Sequence, residues 1–375
     1  MNMKALFLIF HGFDAANGIS KKIHYQVKAL KACGTDVRLC YYDITPDGHR
    51  RWMADDEVLV DFGTGTMAKI KKRFSFSSIA DYVKREKIGF VYIRSYHNAN
   101  PFTIGMVRKM KLAGAKVVIE IPTYPYDQEY ITTRMKMDIT VDQCFRRKLA
   151  KLTDGIVTFS DAAEIFGQRT IRISNGIDFD AVKLKTSFDN YHHELHLIGV
   201  AEVHYWHGYD RLIRGLADYY RSNPAYKVYF HLVGELSGER ERQEILPPIG
   251  DNALEPYVIL HGARHGDELD ALFEQAEFAI GSLGRHRSGI THIKTLKNRE
   301  YAARGIPFVY SETDDDFEQM PYVMKVPADE SPIDIPSLIL FRNNMKQTPE
   351  EIRNSIADLS WTAQMKRVTK EISDK

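Results

Sequence analysis

The chain has 375 residues, of which 44% are hydrophobic and 27% charged, and its formal net charge is +1. This length suits two domains, and the balanced charge gives no reason to expect a nucleic-acid partner. No apolar run is long enough for a membrane span, and three cysteines without metal spacing fit a reducing cytoplasm.

The first half alternates apolar runs with amphipathic segments. Short continuous apolar runs are typical of buried parallel strands, and they predict strands at residues 4–10, 37–42, 90–94, 116–121, 155–159 and 170–174. A helix is predicted from near Ser20 to Gly34, and another over residues 103–112, closed by Gly114.

The second half repeats this pattern. Strands are predicted at residues 195–200, 227–233, 257–261, 278–281 and 307–310, and helices at 209–221, 267–275, 292–304 and 333–344. Alternation of strands and helices predicts two α/β domains with parallel sheets. The polar stretch 178–193 is the best linker.

We therefore predict an N-terminal domain over residues 1–178 and a C-terminal domain over 179–358. A last helix at about 359–373 is expected to pack back on the first domain. The first 180 residues hold 28 basic and 20 acidic side chains, against 23 and 30 in the rest. This asymmetry indicates either different ligands for the two domains or a drift of surface composition. Ligands of such sheets bind at the carboxyl ends of strands, so the cleft between the domains is the expected site.

The most informative segment is residues 296–307, a predicted helix that ends at Gly305 before a strand. A basic, glycine-containing loop, residues 284–289, precedes it. Backbone N–H groups at a helix N-terminus and nearby cations suit a phosphate. Lys297 and Glu300 share one helix face, and a carboxylate there suits ribose hydroxyls. A solvated, salt-bridged helix is the alternative.

Four segments of the chain resemble GT-B-fold glycosyltransferases of family GT4, and they follow one another in the order that the family has. Residues 297–307 match the pattern K-x-x-E-Y-x-A-x-G-x-P. The other three are the loop Asn17-Gly18-Ile19-Ser20, the segment Ser174-Asn175-Gly176-Ile177-Asp178 and the segment Trp206-His207-Gly208-Tyr209-Asp210-Arg211-Leu212-Ile213.

The resemblance implies two Rossmann-like domains and a retaining sugar transfer from a nucleotide-sugar to an acceptor hydroxyl. It places the nucleotide in the C-terminal domain and the acceptor in the N-terminal domain. Glu300 is then expected to bind the donor ribose, Lys297 to lie by the diphosphate, and Gly18 to face the phosphate or sugar. No metal or other cofactor is expected, because cations and helix N-termini would neutralise the leaving diphosphate.

These considerations predict the following site. The donor-binding residues are Gly18, His207, Arg264, Arg285, Lys294, Lys297 and Glu300, and the catalytic residues are Lys297, Glu300 and Arg287.

The chain also departs from the family pattern. His292 stands where the first of two glutamates is expected, and His207 where a lysine is usual. Pro122 to Tyr126 replace a histidine of the first domain. One interpretation is that basic charge has moved to residues 285–297, and the rival one is a degraded site. We favour the first, because a dense basic cluster remains beside Glu300.

The predicted acceptor side follows two strands of the first half. Tyr124 and Tyr126 could stack on a sugar, and Glu120 or Asp127 could bind hydroxyls. Arg94 and His97 end the preceding strand and are similar candidates. A rigid surface loop is an equal alternative for residues 120–127, and His11 is interpreted as a turn residue.

Two stretches, residues 69–76 and 145–149, mix basic and apolar side chains. Such stretches can rest on anionic lipid, although a solvated face is slightly favoured.

The sequence thus predicts a glycosyltransferase that uses a UDP-sugar, or next a GDP-sugar, and a glycan or lipid-linked acceptor. Bacterial surface polysaccharide synthesis is the favoured setting. A cytoplasmic location, with peripheral contact at the inner membrane face, is expected. The alternatives are a nucleotide-sugar epimerase or hydrolase of the same fold, and a non-catalytic GT-B partner subunit.

Overall fold

The computed structural model describes residues 3–13, 18–127, 130, 133–188, 193–289 and 292–374. The chain divides into two compact units. The first unit comprises Met1–Ser174 with Trp361–Lys375, and the second comprises Asn175–Ser360. Within the described residues, no helix combines the length and the apolar character needed to cross a membrane.

The first unit is built on a nine-stranded sheet in the order β4-β3-β2-β1-β5-β6-β7-β9-β8. Its strands are β1 (Lys4–Leu8), β2 (Asp36–Ile44), β3 (Arg50–Ala54), β4 (Glu57–Asp61), β5 (Phe90–Arg94), β6 (Lys116–Ile121), β7 (Gly155–Thr158), β8 (Glu164–Ile165) and β9 (Gln168–Arg172). The six strands predicted here are present, with ends shifted by up to two residues. The central strands pair parallel, as predicted, whereas the edge strands β3, β4 and β8 pair antiparallel.

Six helices of the described chain belong to this unit: α1 (Gly18–Ala32), α2 (Gly65–Phe74), α3 (Ser77–Arg85), α4 (Pro101–Leu112), α5 (Thr133–Ala150) and α12 (Trp361–Ser373). On one face of the sheet, Ile23 and Leu30 of α1 pack with Met365 and Val368 of α12. Helix α2 differs from the others, because Ala68 is its only buried residue.

The second unit is built on a six-stranded parallel sheet in the order β12-β11-β10-β13-β14-β15. Its strands are β10 (Glu194–Val200), β11 (Lys227–Val233), β12 (Val258–Gly262), β13 (Phe278–Ile280), β14 (Phe308–Tyr310) and β15 (Val323–Lys325). The chain order reverses at β10, so the loops after β10 and β13 leave neighbouring strands at the same edge.

The helices of this unit are α6 (Tyr209–Tyr220), α7 (Glu239–Asp251), α8 (Gly266–Gln275), α9 (Leu296–Ala303), α10 (Ile335–Asn344) and α11 (Pro349–Ser355). Helix α9 begins four residues later than predicted. Thr295 is its N-cap, with extended backbone and a side chain that accepts a bond from the amide of Asn298. This capping ends the preceding loop and fixes the first turn, which carries Lys297.

Candidate functional sites

In the second unit, the loops after β10 and β13 pack directly on each other. The amide of Leu283 donates to the carbonyl of His207 at 2.8 Å, and that of Gly284 to the carbonyl of Trp206 at 3.2 Å. Gly208 has φ +64, and a Cβ there would lie 2.6 Å from the nitrogen of Gly284. A glycine is therefore required for this close approach.

Two of the predicted donor-binding residues, Lys297 and Arg285, lie at this edge. The Nζ of Lys297 lies 3.4 Å from the hydroxyl of Tyr209 and 5.6 Å from the centre of its ring. The guanidinium of Arg285 lies 5.5 Å from the ring centre of Trp206. Burial, and then the charge of Arg285, lower the pKa of Lys297 to about 7. The ammonium is thus held where it is poorly solvated, and an anionic ligand would stabilise it.

His207 supplies a neutral donor beside these cations. Its Nδ1 accepts the amide N–H of His204 at 2.9 Å, so the proton of the neutral ring resides on Nε2. Burial, followed by the charges of Lys297 and Arg285, lowers the pKa of His207 well below its usual range. An uncharged Nε2–H at this position can donate to a phosphate or hydroxyl oxygen.

Glu300 follows Lys297 by one helical turn, and Arg304 holds it in place. The Nε and Nη2 of Arg304 both donate to Oε1 of Glu300, at 3.1 and 3.0 Å. Both of these bonds go to Oε1, and the Glu300 side chain is 34% exposed. Oε2 is therefore available to a ligand hydroxyl.

Glu312, just after β14, is a member of this cluster that the sequence did not predict. Its residue exposure is 1%, and neither carboxylate oxygen bonds to another described residue. Burial raises the pKa of this carboxyl to about 7, although Arg285 and Lys297 oppose the shift. A buried, unsatisfied carboxyl beside two cations is typical of a ligand site rather than of a structural ion pair.

The structure corrects the catalytic assignment of Arg287. Its Nη1 and Nη2 donate to the two carboxylate oxygens of Asp210 at 2.8 Å, and its Nε donates to Glu330 at 2.8 Å. A carbonyl, that of Tyr205, takes a further bond at 2.9 Å. Arg287 thus connects the loop of residues 284–289 to α6, and its N–H groups already have acceptors.

Two other predicted donor-binding residues make contacts of their own. Arg264 follows β12 and is near Glu268, with 3.9 Å between their charged atoms. Lys294 precedes α9, and its carbonyl accepts a bond from the side chain of Asn175 at 2.6 Å. Gly18 is the first residue of α1 in the first unit, where a Cβ would meet nothing within 4 Å. The neighbouring residue Asn17 lies outside the described residues.

The first unit contains its own cavity, of about 1020 Å³, at the carboxyl ends of β1 and β5. Arg94 and His97, both predicted to bind the acceptor, line it, as does His11. His97 stacks on Tyr126 with 3.7 Å between ring centres, and its Nδ1 is 2.6 Å from the hydroxyl of Tyr130. Burial, and then Arg94, lower the pKa of His97 to about 4, so the ring is neutral near pH 7.

The structure corrects the role predicted for Glu120. This residue is fully buried and its carboxylate accepts bonds from Arg94, from the hydroxyl of Tyr92 at 2.6 Å and from Gln26 at 2.7 Å. The Nζ of Lys22 lies 3.5 Å away. Burial opposes ionisation, yet these partners hold the pKa of Glu120 below its usual value. Glu120 is a structural anion and presents no oxygen to an acceptor.

Residues 124–127 are likewise engaged within the unit. Tyr126 is buried and donates to Asp142 at 2.6 Å, so it is not available to stack on a sugar. Asp127 accepts two bonds from Arg146, at 2.6 and 3.1 Å. Tyr124 packs edge-on against Phe166. These three residues are absent from the cavity lining. The sequence could not reveal this, because their partners lie 16 to 42 positions away.

Comparison with solved structures identifies the architecture. A glycosyltransferase from Rickettsia africae superimposes with a TM-score of 0.65 at 12% identity, covering 100% of this chain and 98% of that one. HepE from Anabaena in complex with UDP gives 0.62 at 13%, covering 100% of both chains. The catalytic domain of starch synthase IV from Arabidopsis thaliana, bound to ADP and acarbose, gives 0.64 at 12%, covering 100% and 99%.

These similarities confirm the predicted GT-B fold, that of glycosyltransferases with two parallel-sheet α/β domains. No protein-family profile matches the chain, and no curated protein matches it.

Proposed function

We propose that this chain is a glycosyltransferase that takes a sugar from a nucleotide-sugar, with a UDP-sugar favoured over a GDP-sugar. The observation that carries the proposal is the cluster of Lys297, Arg285 and His207 beside Glu300, at the point of the second sheet where strand order reverses. Cations and a neutral donor suit the diphosphate, and Oε2 of Glu300 suits the ribose. Relatives in fold were crystallised with UDP, UDP-glucose and ADP.

The reaction that we propose is a transfer with retention of configuration. The acceptor oxygen forms a bond to the anomeric carbon while the bond from that carbon to the phosphate oxygen breaks. The bonding electron pair leaves with the nucleoside diphosphate, and the acceptor proton passes to a phosphate oxygen. Lys297 and Arg285 stabilise the charge that develops on the leaving diphosphate.

We further propose that this transfer needs no divalent metal. The cluster offers two cations and one neutral N–H donor, which together can oppose the charge of a diphosphate. Full activity in excess EDTA is expected. Loss of activity with EDTA and its return with Mn²⁺ would contradict this part of the proposal.

The decisive experiment begins with calorimetric titration of UDP-sugars and GDP-sugars, followed by analysis of the products with and without acceptor sugars. Transfer predicts a new glycoside in equimolar amount with the released nucleoside diphosphate. Equal release without any acceptor would indicate a hydrolase, and an altered sugar nucleotide an epimerase. Donor binding without any product would indicate a non-catalytic partner subunit.

We also propose that the first unit contacts an anionic membrane surface through α2, which fits a lipid-linked acceptor in surface polysaccharide synthesis. Met67, Ile70 and Phe74 are 63%, 47% and 47% exposed. Lys69 and Lys71 are exposed on the same helix. Apolar side chains among cations are typical of interfacial helices. In the stretch 145–149, by contrast, Arg146 is held by Asp127.

Vesicle co-sedimentation tests this contact. Binding to vesicles rich in phosphatidylglycerol should exceed binding to phosphatidylcholine vesicles, and Ile70→Glu should reduce it. Leu112→Glu, at an 84% exposed site on α4, is the control and should leave binding unchanged. Equal loss in both variants, or no preference for anionic lipid, would contradict the proposal.

A further inference from the structure

The cavity of the first unit differs from an ordinary sugar-binding pocket in its charge. Besides Arg94 and His11, it is lined by Lys72 and Arg73, which lie at the end of α2. These residues come from three separate parts of the chain, since Arg94 ends β5 and His11 follows β1. The fold therefore brings basic side chains from three parts of the chain to one cavity.

The proximity of these groups is evident from their effect on one another. Arg94 and Lys72 both lower the pKa of His11, although burial is the larger cause. Burial, and then Arg50 and Arg73, lower the pKa of Lys72 to about 8. Lys72 also lies 3.6 Å from the ring centre of Tyr42. A cation held in this way is poorly solvated and gains from an anionic partner.

The acidic groups described near this cavity, Asp142 and Glu120, already have partners. Asp142, which lines it, accepts bonds from the amide of Ala99 at 2.9 Å and from Tyr126. Glu120 lies behind Arg94 with its oxygens engaged. Among the described residues, no acidic side chain pairs with the positive charge of Lys72 and Arg73.

Apolar surface adjoins these cations. Phe74 and Tyr96, which are 47% and 61% exposed, line the cavity. A ligand that combines an oxyanion with an apolar portion would match both features.

From this arrangement we infer that the cavity recognises the acceptor through a phosphate or diphosphate group, with Lys72 and Arg73 as its specificity-determining residues. The inference rests on the proposed function, because it treats the cavity as the acceptor site. It excludes a neutral glycan as the preferred acceptor. Arg94 contributes charge but also holds Glu120, so it is a poor residue for a test.

Calorimetry with farnesyl diphosphate as the probe tests the inference. Saturating UDP is present throughout, so that the probe does not occupy the cluster at Lys297. Wild-type protein should bind farnesyl diphosphate at least tenfold more tightly than farnesol. Lys72→Gln and Arg73→Gln should each weaken binding of the diphosphate about tenfold, the scale of one charge-assisted hydrogen bond.

Lys84→Gln and Lys109→Gln are the matched controls, because these residues lie on helices of the same unit, are exposed and are absent from the cavity lining. They should bind the probe like wild type. Inorganic pyrophosphate distinguishes the sources of the anion. If it binds as tightly and with the same sensitivity to Lys72→Gln, the site recognises a soluble phosphate ester; if it binds far more weakly, a lipid-linked diphosphate.

Equal affinity for farnesol and farnesyl diphosphate, or equal losses in all four variants, would overturn the inference. These results do not depend on turnover. If donor binds and transfer occurs but the diphosphate probe does not bind, the acceptor inference fails alone. If the probe binds as expected while no nucleotide-sugar is consumed, the proposed function fails instead.

Discussion

Each unit buries a glutamate near the carboxyl edge of its sheet, and the two side chains are treated in opposite ways. Glu120 in the first unit accepts bonds from Arg94, Tyr92 and Gln26, and its pKa is held below the usual value. The carboxylate of Glu312 in the second unit bonds to no other described residue, and burial raises its pKa to about 7.

The difference in hydrogen-bond partners distinguishes a structural anion, Glu120, from a carboxyl that is suited to a ligand site, Glu312. A buried carboxylate that accepts bonds from several donors is held as an anion, whereas a buried carboxylate without donors costs free energy, which protonation or a bound ligand recovers. Whether a buried polar group has hydrogen-bond partners is therefore a better guide to its role than its position at the end of a strand. By this criterion, the cluster around Glu312 in the second unit is a better candidate for a ligand site than the surroundings of Glu120.

The largest expected effect is on stability. Glu120→Gln removes the anion and leaves Lys22 and Arg94 buried beside it, which should cost about 3–5 kcal/mol in the free energy of unfolding. Urea denaturation measures this change. Glu312→Gln, compared at pH 6 where Glu312 is largely protonated, should change stability by less than about 1 kcal/mol. Similar losses in the two variants would remove the distinction between the glutamates.

Next in size is the effect of Lys297→Ala on turnover. Charge on the diphosphate is greater in the transition state than in the bound donor, so kcat should fall by roughly a hundredfold or more and donor affinity by less. Lys297→Arg should restore only part, because a guanidinium does not replace a compact ammonium. Steady-state kinetics with glycoside formation as readout measures both. Normal kcat in both variants would exclude Lys297 from catalysis.

A smaller effect is expected for Glu300→Ala, which should weaken donor binding by about 1–3 kcal/mol through loss of charged hydrogen bonds to the ribose. Calorimetry with a UDP-sugar measures it. Glu318→Ala is the control, because Glu318 is an exposed glutamate whose Oε1 lies 2.8 Å from the Nζ of Lys325. An unchanged dissociation constant for Glu300→Ala would contradict the ribose assignment.

The smallest effect concerns pH. Between pH 6 and 8, Lys297 loses a proton and Glu312 becomes an anion, since both groups have a pKa of about 7. The cluster becomes less positive as pH rises, so donor binding should weaken by about tenfold over this interval. The UDP-sugar diphosphate has no titration in this range to oppose the trend. A flat profile, or tighter binding at pH 8, would contradict this prediction. Lys297→Gln should reduce the slope and leave the part that is due to Glu312.

Much of the fold follows from local sequence. Continuous apolar runs predicted β5 and β6 at their observed ends, because strands buried on both faces need apolar residues throughout. The hairpin β3–β4 was missed, since its short, partly exposed strands at the sheet edge carry no such run. The start of α9 was placed four residues early, because residues 292–295 contain no glycine or proline and only the capping by Thr295 marks where the helix begins.

The site is predictable only where a residue acts with its sequence neighbours. Lys297 and Glu300 lie one turn apart, and the prediction could join them. Arg287 looked like a phosphate ligand, yet Asp210, which binds it, lies 77 positions away. Glu312 begins an acidic run that reads as a solvated loop. Whether a charge is satisfied depends on distant partners, which a local pattern does not contain.

The central claim is that the cluster of Lys297, Arg285 and His207 binds a nucleoside diphosphate. Calorimetric titration of UDP into wild-type protein and Lys297→Gln at pH 6.5 tests it most directly, because it requires neither the acceptor nor the correct sugar. We predict saturable binding of UDP at one site and an affinity at least tenfold lower in the variant. Absence of UDP binding, or equal affinity in the two proteins, would contradict the account.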